Sequence, residues 1–208
     1  EAEDEAPMPD DDDAPATDGA PDALDEEETS DSPEAGAHSY AGLLPALQAT
    51  LDPDAFYDAA YNRRLRAFAL AVIDAIGPVT DGQLCEILAR CHQFARTGRR
   101  IRHRVLKLVD GQRPYVEESR DSGSYWPAGA TPVPVMDFRG LKLGGVPRSW
   151  KELPLPERRG LARRALQAHA GERDQVEFMQ RALQLSRLSQ PTANALRAAL
   201  QEMARRAA

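Results

Sequence analysis

Thr97-Gly98-Arg99-Arg100-Ile101-Arg102-His103-Arg104-Val105-Leu106-Lys107 is the stretch on which the reading of this chain turns. Ile101, Val105 and Leu108 recur at i, i+4 and i+7, the spacing of one stripe on a helix, and one stripe is enough to dock a short helix on a small core. The rest of the circumference carries Arg99, Arg100, Arg102, His103, Arg104 and Lys107, with five permanent positive charges in nine residues. Charge runs on helices are commonly plain solvated faces. At this density the run also has the composition of a helix that lies against phosphates or in a DNA major groove.

The neighbouring segments give that helix a setting. Upstream, Tyr61–Ile76 places Leu65, Phe68, Ala69, Val72 and Ile76 on one helical face, and Gly77-Pro78 stops it. Thr80-Asp81-Gly82-Gln83 has the spacing of a capping box that opens a second helix, which carries Leu84, Ile87, Leu88 and Cys91 inward to about Gln93. Phe94-Ala95-Arg96 is a turn, Thr97 is the expected N-cap of the basic helix, and Asp110-Gly111 ends it after Val109. Tyr115-Val116-Glu117 and Ser124-Tyr125-Trp126 then flank the turn-forming Arg120-Asp121-Ser122-Gly123, which predicts a hairpin. Three helices and a β-hairpin make a winged helix, in which the third helix is the usual recognition helix. The residues expected to face DNA are Arg96, Thr97, Arg99, Arg100, Arg102, His103, Arg104 and Lys107, with Arg120 or Tyr125 of the wing near the backbone.

Charge divides the chain sharply. Residues 1–38 hold sixteen acids and no lysine or arginine, which leaves 17 acids against all 26 basic residues in 39–208, a balance of +9 beneath the overall −7. A segment so acidic and so poor in apolar residues cannot offset its ordering entropy, and disorder is the expectation for it. Two roles stand open for this arm: a linker, or a tethered polyanion that competes for the basic face. The chain starts at Glu1 inside a low-complexity run, as a fragment of something larger would.

Beyond the hairpin the texture changes. Pro127, Pro132, Pro134, Pro147, Pro154 and Pro156, with Gly129, Gly140, Gly144 and Gly145, describe a connector over 128–155, anchored by Val133, Val135, Phe138, Leu141, Leu143 and Trp150. Gly140–Gly145 lacks the glycine–lysine–hydroxyl ending of a phosphate loop. Helices resume at Pro156 and run to about His169; Phe178, Ala182, Leu185 and Leu188 mark the next, and Leu196, Leu200 and Met203 the last. A shift of 94 residues superposes Gly77 on Gly171, Leu88 on Ala182 and Cys91 on Leu185, so the last three helices read as a second copy of the first three without the basic character or the hairpin. The expected fold is mainly α: a disordered acidic arm (1–38), a winged helix (39–127), the connector (128–155) and a second three-helix unit (156–208).

Four segments carry a family resemblance: Ile76-Gly77-Pro78-Val79, Arg96–Ile101, Tyr125-Trp126-Pro127 and Lys151-Glu152-Leu153-Pro154-Leu155-Pro156-Glu157. In that order, over about 60–203, they resemble the domain of unknown function at the C-terminus of large bacterial superfamily-one helicase-like proteins. Such proteins commonly join an ATPase core to a Vsr-like endonuclease domain, and some act in defence against foreign DNA. The resemblance implies a DNA-processing multidomain parent, with the acidic arm as the tether to the preceding domain. It offers no catalytic residue to carry over, and the ATPase motifs are absent from this chain.

The remaining chemistry-bearing residues point away from catalysis. Of His38, His92, His103 and His169, the first lies in the arm and His92 and His103 have no carboxylate at a ligand spacing; Cys85 and Cys91, six apart on one helix, fit neither a zinc site nor a redox pair. Glu117-Glu118 puts its carboxylates on opposite faces of a strand. The longest apolar run, Ala67–Ile76, is half a membrane span and contains Asp74. The expectation is a non-catalytic, cofactor-free and metal-free cytoplasmic module whose partners are double-stranded DNA and other domains of the parent, with no membrane contact. The alternative is a scaffolding module whose basic face holds the acidic arm or a partner domain.

Overall fold

The structure, a computed structural model, describes residues 44–120 and 122–207, so the acidic arm lies outside the described residues. The described residues are mainly helical, with two small antiparallel sheets. A short helix α1 (Pro45–Gln48) and 3-10 turns at Asp54–Tyr57 and Ala59–Tyr61 lead into α2 (Asn62–Ile76). Then follow β1 (Val79–Thr80), α3 (Asp81–Cys91), α4 (Arg99–Val109), and a hairpin of β2 (Tyr115–Ser119) and β3 (Ser122–Tyr125). After a connector with β4 (Lys142–Leu143), β5 (Val146–Pro147) and a 3-10 turn at Trp150–Glu152 come α5 (Leu155–Ala168), α6 (Glu172–Ala182) and α7 (Gln190–Ala207).

The first three long helices bury the stripes that their periodicity predicts. Leu65, Phe68, Val72 and Ile76 of α2, Leu84, Ile87 and Leu88 of α3, and Ile101, Val105 and Leu108 of α4 share one core, with Phe56 of the first 3-10 turn at its end. Cys91 reaches this core only in part. Two local expectations change. Thr80 does accept from the Gln83 amide at 3.2 Å, but the Gln83 side chain does not reach back, and its Nε2 is buried without a partner. The N-cap of α4 is Gly98, with no side-chain bond, rather than Thr97. A full capping box stands instead at Ser149 and Glu152.

The hairpin forms where the turn residues predict, with Ser122 and Gly123 drawn into the returning strand. β3 is central: it pairs with β2 on one side (Tyr115 opposite Tyr125) and with β1 on the other (Val79 opposite Tyr125), giving the order β1-β3-β2.

A second core gathers Leu161 and Ala165 of α5, Val176 and Met179 of α6, and Leu196, Leu200 and Met203 of α7, with Trp150 and Leu153 of the connector. Leu185 and Leu188 lie in the loop after α6 rather than on it. The connector follows the body as expected through Val135, Phe138 and Leu141, while Val133 is 41% exposed and anchors nothing. It passes so close over α5 that a Cβ on Gly160 would stand 1.7 Å from the carbonyl oxygen of Met136, so only glycine fits there.

The two three-helix units share a turn. Gln93 and Gln184 both adopt positive φ, 62° and 52°, although neither is glycine. Around each, the same three backbone bonds close the helix end: His92 N to Leu88 O, Gln93 N to Arg90 O and Phe94 N to Ala89 O in one, and Leu183 N to Met179 O, Gln184 N to Arg181 O and Leu185 N to Gln180 O in the other. α6 and α7 therefore superpose on α3 and α4 at a shift of 91, which replaces the 94 expected from sequence. At 91 the pattern Arg90-x-x-Gln93-x-x-Arg96 falls on Arg181-x-x-Gln184-x-x-Arg187.

The connector also ties the units together. Arg139 donates to the carbonyls of Ile76, Gly77 and Pro78, which end α2, and to the Glu157 carboxylate at the start of α5. Arg148 donates to both oxygens of Glu157, at 2.7 and 2.9 Å, and both side chains are fully buried. Pro127 closes the same junction, since a Cβ on Gly77 would lie 2.9 Å from its ring. Three of the four segments that carry the family resemblance thus meet at one place.

Candidate nucleic-acid interface

α4 docks by its apolar stripe and turns the opposite side outward. Arg99, Arg100, His103 and Lys107 are exposed along that side, at the i, i+4 and i+8 spacing of a single ridge. Among the described residues, Arg99, His103 and Lys107 have no side-chain partner. Arg96 is exposed and Thr97 half-buried in the loop that precedes the helix, and Arg120 is exposed in the turn after β2.

The other cations of the run lie off this ridge. Arg104 bends back to donate to the Asp58 carbonyl and to Asn62 Oδ1, both at 2.7 Å, and it lies 6.0 Å above the Phe56 ring. Its Nη2 joins α4 to the start of α2 and is not open to phosphate. Arg102 is half-buried and lines a cleft of about 340 Å³ with Thr80, Asp81, Glu86, Ser122 and Glu152 among others. Burial, and then the hydrogen bond and charge of the neighbouring Glu152, push the Glu86 carboxyl up to about 7, against the pull of Arg90. Tyr125 cannot reach a DNA backbone either. It is 6% exposed, inside the sheet against Tyr115.

Arg100 has a partner that sequence reasoning missed. Its guanidinium carbon sits 4.8 Å over the Tyr57 ring. Tyr57, 41% exposed, is held from beneath by Phe56 at 5.1 Å and Phe94 at 6.1 Å. An aromatic pair Phe56-Tyr57 just ahead of a helix was the visible signal, but its link to residue 100 depends on the tertiary fold.

His92, paired with no carboxylate among the described residues, is a packing residue. Its Nδ1 lies 2.7 Å from the Leu88 carbonyl, which can only accept, so Nδ1 carries the proton and Nε2 accepts from the Tyr61 hydroxyl at 3.0 Å. Tyr61 in turn accepts from the Asp52 amide at 3.0 Å. Burial lowers the affinity of His92 for a second proton, more than the Leu88 bond and the Asp52 charge raise it. Cys85 and Cys91 are free thiols, and burial pushes them up to about 12 and about 11, away from reactivity.

Among the described residues, no group of three or more His, Cys, Asp or Glu could hold a metal ion, and no helix is long and apolar enough to cross a membrane. No curated protein and no solved structure matches the chain. One family does match a part of it: residues 54–103, from the turn that bears Tyr57 to the middle of α4, fit a family described as a protein of unknown function, DUF3320.

Proposed function

We propose that this chain is a non-catalytic DNA-binding module of a helicase- or nuclease-type DNA-processing protein. In this reading residues 62–125 form a winged helix, with α4 as the recognition helix and the β2–β3 hairpin as the wing. Arg99, Arg100 and Lys107 contact phosphates, with Arg96 and Arg120 at the margins. The family resemblance adds the parent protein and its place in defence against foreign DNA.

The observation that carries the reading is an internal control. At the shift of 91, Arg99, Arg100, His103 and Lys107 correspond to Gln190, Pro191, Asn194 and Ala198 of α7. The same turn forms in the second unit, and its last helix packs into a core, without these charges. Folding therefore does not require the cationic ridge on α4, and a ligand of opposite charge accounts for it. With few amides among the arginines, phosphate contact outweighs base readout, and little sequence preference is expected.

The test is duplex binding by the full chain. Replacing Arg99 and Lys107 together with alanine lowers affinity at low salt by about tenfold or more, and flattens the dependence of log affinity on log salt by about two contacts. Unchanged duplex affinity would overturn the reading and leave the ridge as a docking face for an acidic protein segment.

A further inference from the structure

We propose that Tyr57 is a positioning residue of this interface, acting through Arg100. The inference rests on the reading of α4 as a phosphate-contacting helix and extends it to a residue 43 positions away in sequence. Arg100 stands at the second position of α4, where a long flexible side chain on an exposed ridge would ordinarily sample many rotamers and lose that freedom on binding. Here the Tyr57 ring lies under its guanidinium at 4.8 Å.

The ring is itself fixed. Phe56 meets it at 80° and Phe94 at 59°, and Phe56 is completely buried in the first core. Phe94 follows the positive-φ Gln93 that closes α3, so the shared turn of the two units sets one of the supports. Among the described residues no carboxylate pairs with Arg100, even though Asp54 and Asp58 flank the tyrosine in sequence. A stack on a ring face leaves the guanidinium edge, with its five N–H donors, open for a bidentate phosphate contact, which a salt bridge would have occupied. Arg104, one turn further on, shows the contrast: its Nη2 donates to the Asp58 carbonyl and to Asn62 Oδ1, and it holds the fold.

A support that preorganises a cation has a signature that a structural tyrosine lacks. Tyr57 is uncharged, yet removing it disperses a charge that contacts phosphate. With the full chain and a fluorescein-labelled duplex of about 20 bp, Tyr57→Ala lowers affinity about three- to tenfold and reduces the salt slope by about one contact, as Arg100→Ala does. Tyr57→Phe, which keeps the ring, retains wild-type affinity and slope. Tyr57→Leu, which keeps apolar bulk without a ring face, behaves as the alanine variant. In an Arg100→Ala background, Tyr57→Ala adds nothing.

An unchanged salt slope in Tyr57→Ala, rescue by leucine as complete as by phenylalanine, or an undiminished effect of Tyr57→Ala when Arg100 is absent would each overturn the proposal. The Arg99 and Lys107 double variant keeps the two readings apart. If it binds as the wild type does, the DNA reading itself fails. If it weakens binding while Tyr57→Ala does not, only the positioning role fails.

Discussion

Arg139 and Glu157 are bound at three points: the arginine's Nε and Nη2 lie 3.0 and 2.6 Å from one carboxylate oxygen, and its backbone amide is 3.1 Å from the other. Burial alone would raise the Glu157 carboxyl, but hydrogen bonds from Arg148 and Arg139, and their charges, hold it below its ordinary 4.5. Removing one partner of a buried ionic cluster leaves the others unpaired in a medium that cannot solvate them. Glu157→Ala is expected to cost about 3–5 kcal/mol, read as a shift in the urea midpoint. Stability from this carboxylate is present above pH 4.5 and is lost as pH falls through its folded value, so the wild type loses an acid-labile component that the variant no longer has.

His92 supplies an acid-sensitive component in a higher window. Its folded affinity for a proton is lower than the unfolded value of 6.5, so its contribution is complete above pH 6.5 and declines as pH falls from there towards the folded value. The second unit carries Leu183 at the equivalent position. His92→Leu should therefore flatten the fall in thermal midpoint between neutral pH and about pH 5. A slope equal to that of the wild type would place the titrating group elsewhere.

Glu86 acts in the opposite sense. A carboxyl raised to about 7 keeps its proton longer in the folded chain than in the unfolded one, so its contribution is full at low pH and is lost as pH rises from 4.5 through 7. Glu86→Gln cannot charge. Relative to the wild type it should gain stability with rising pH across that window, measured by melting at matched ionic strength, because burial and Glu152 oppose only the ionised form.

Arg104 and Arg99 separate folding from binding. Arg104→Ala strips hydrogen bonds from the Asp58 carbonyl and Asn62 and is expected to cost about 1–3 kcal/mol of stability. Arg99→Ala, on an exposed position, should stay within about 0.5 kcal/mol of wild type while weakening duplex binding. Equal melting midpoints for the two variants would mean that Arg104 is not the strut described above.

Gly160 gives a steric test. Alanine there meets backbone rather than a movable side chain, so Gly160→Ala should destabilise by about 1–3 kcal/mol or more despite its higher helix propensity. A gain in stability, which propensity alone would forecast, would show that the connector does not lie on α5.

The helices were legible in the sequence because their apolar spacing and their Gly, Pro and Asp stops are local. β1 was not: two residues, Val79 and Thr80, become a strand only by pairing with Tyr125 and Ser124 far along the chain. The repeat was legible but displaced. A slip of three residues is nearly one helical turn and still sets apolar on apolar, so the pattern accepted 94, and only the turns at Gln93 and Gln184 fix 91. Of the candidate site, the outward ridge could be read from periodicity. The commitment of Arg104 to Asn62 and of Arg100 to Tyr57 could not, since a helical wheel shows which side a residue takes and not what waits there.

Helix repeats are commonly treated as interchangeable cassettes, and the hairpin's end near residue 127 invites a cut that would yield a minimal DNA-binding fragment. The junction at Arg139 argues against that cut. Such a fragment would leave the carbonyls of Ile76, Gly77 and Pro78 without the guanidinium that binds them. The smallest transplantable piece therefore extends through Glu157 and the helix that presents it. A protein engineer borrowing the basic helix must take α5 and its buried carboxylate along with it.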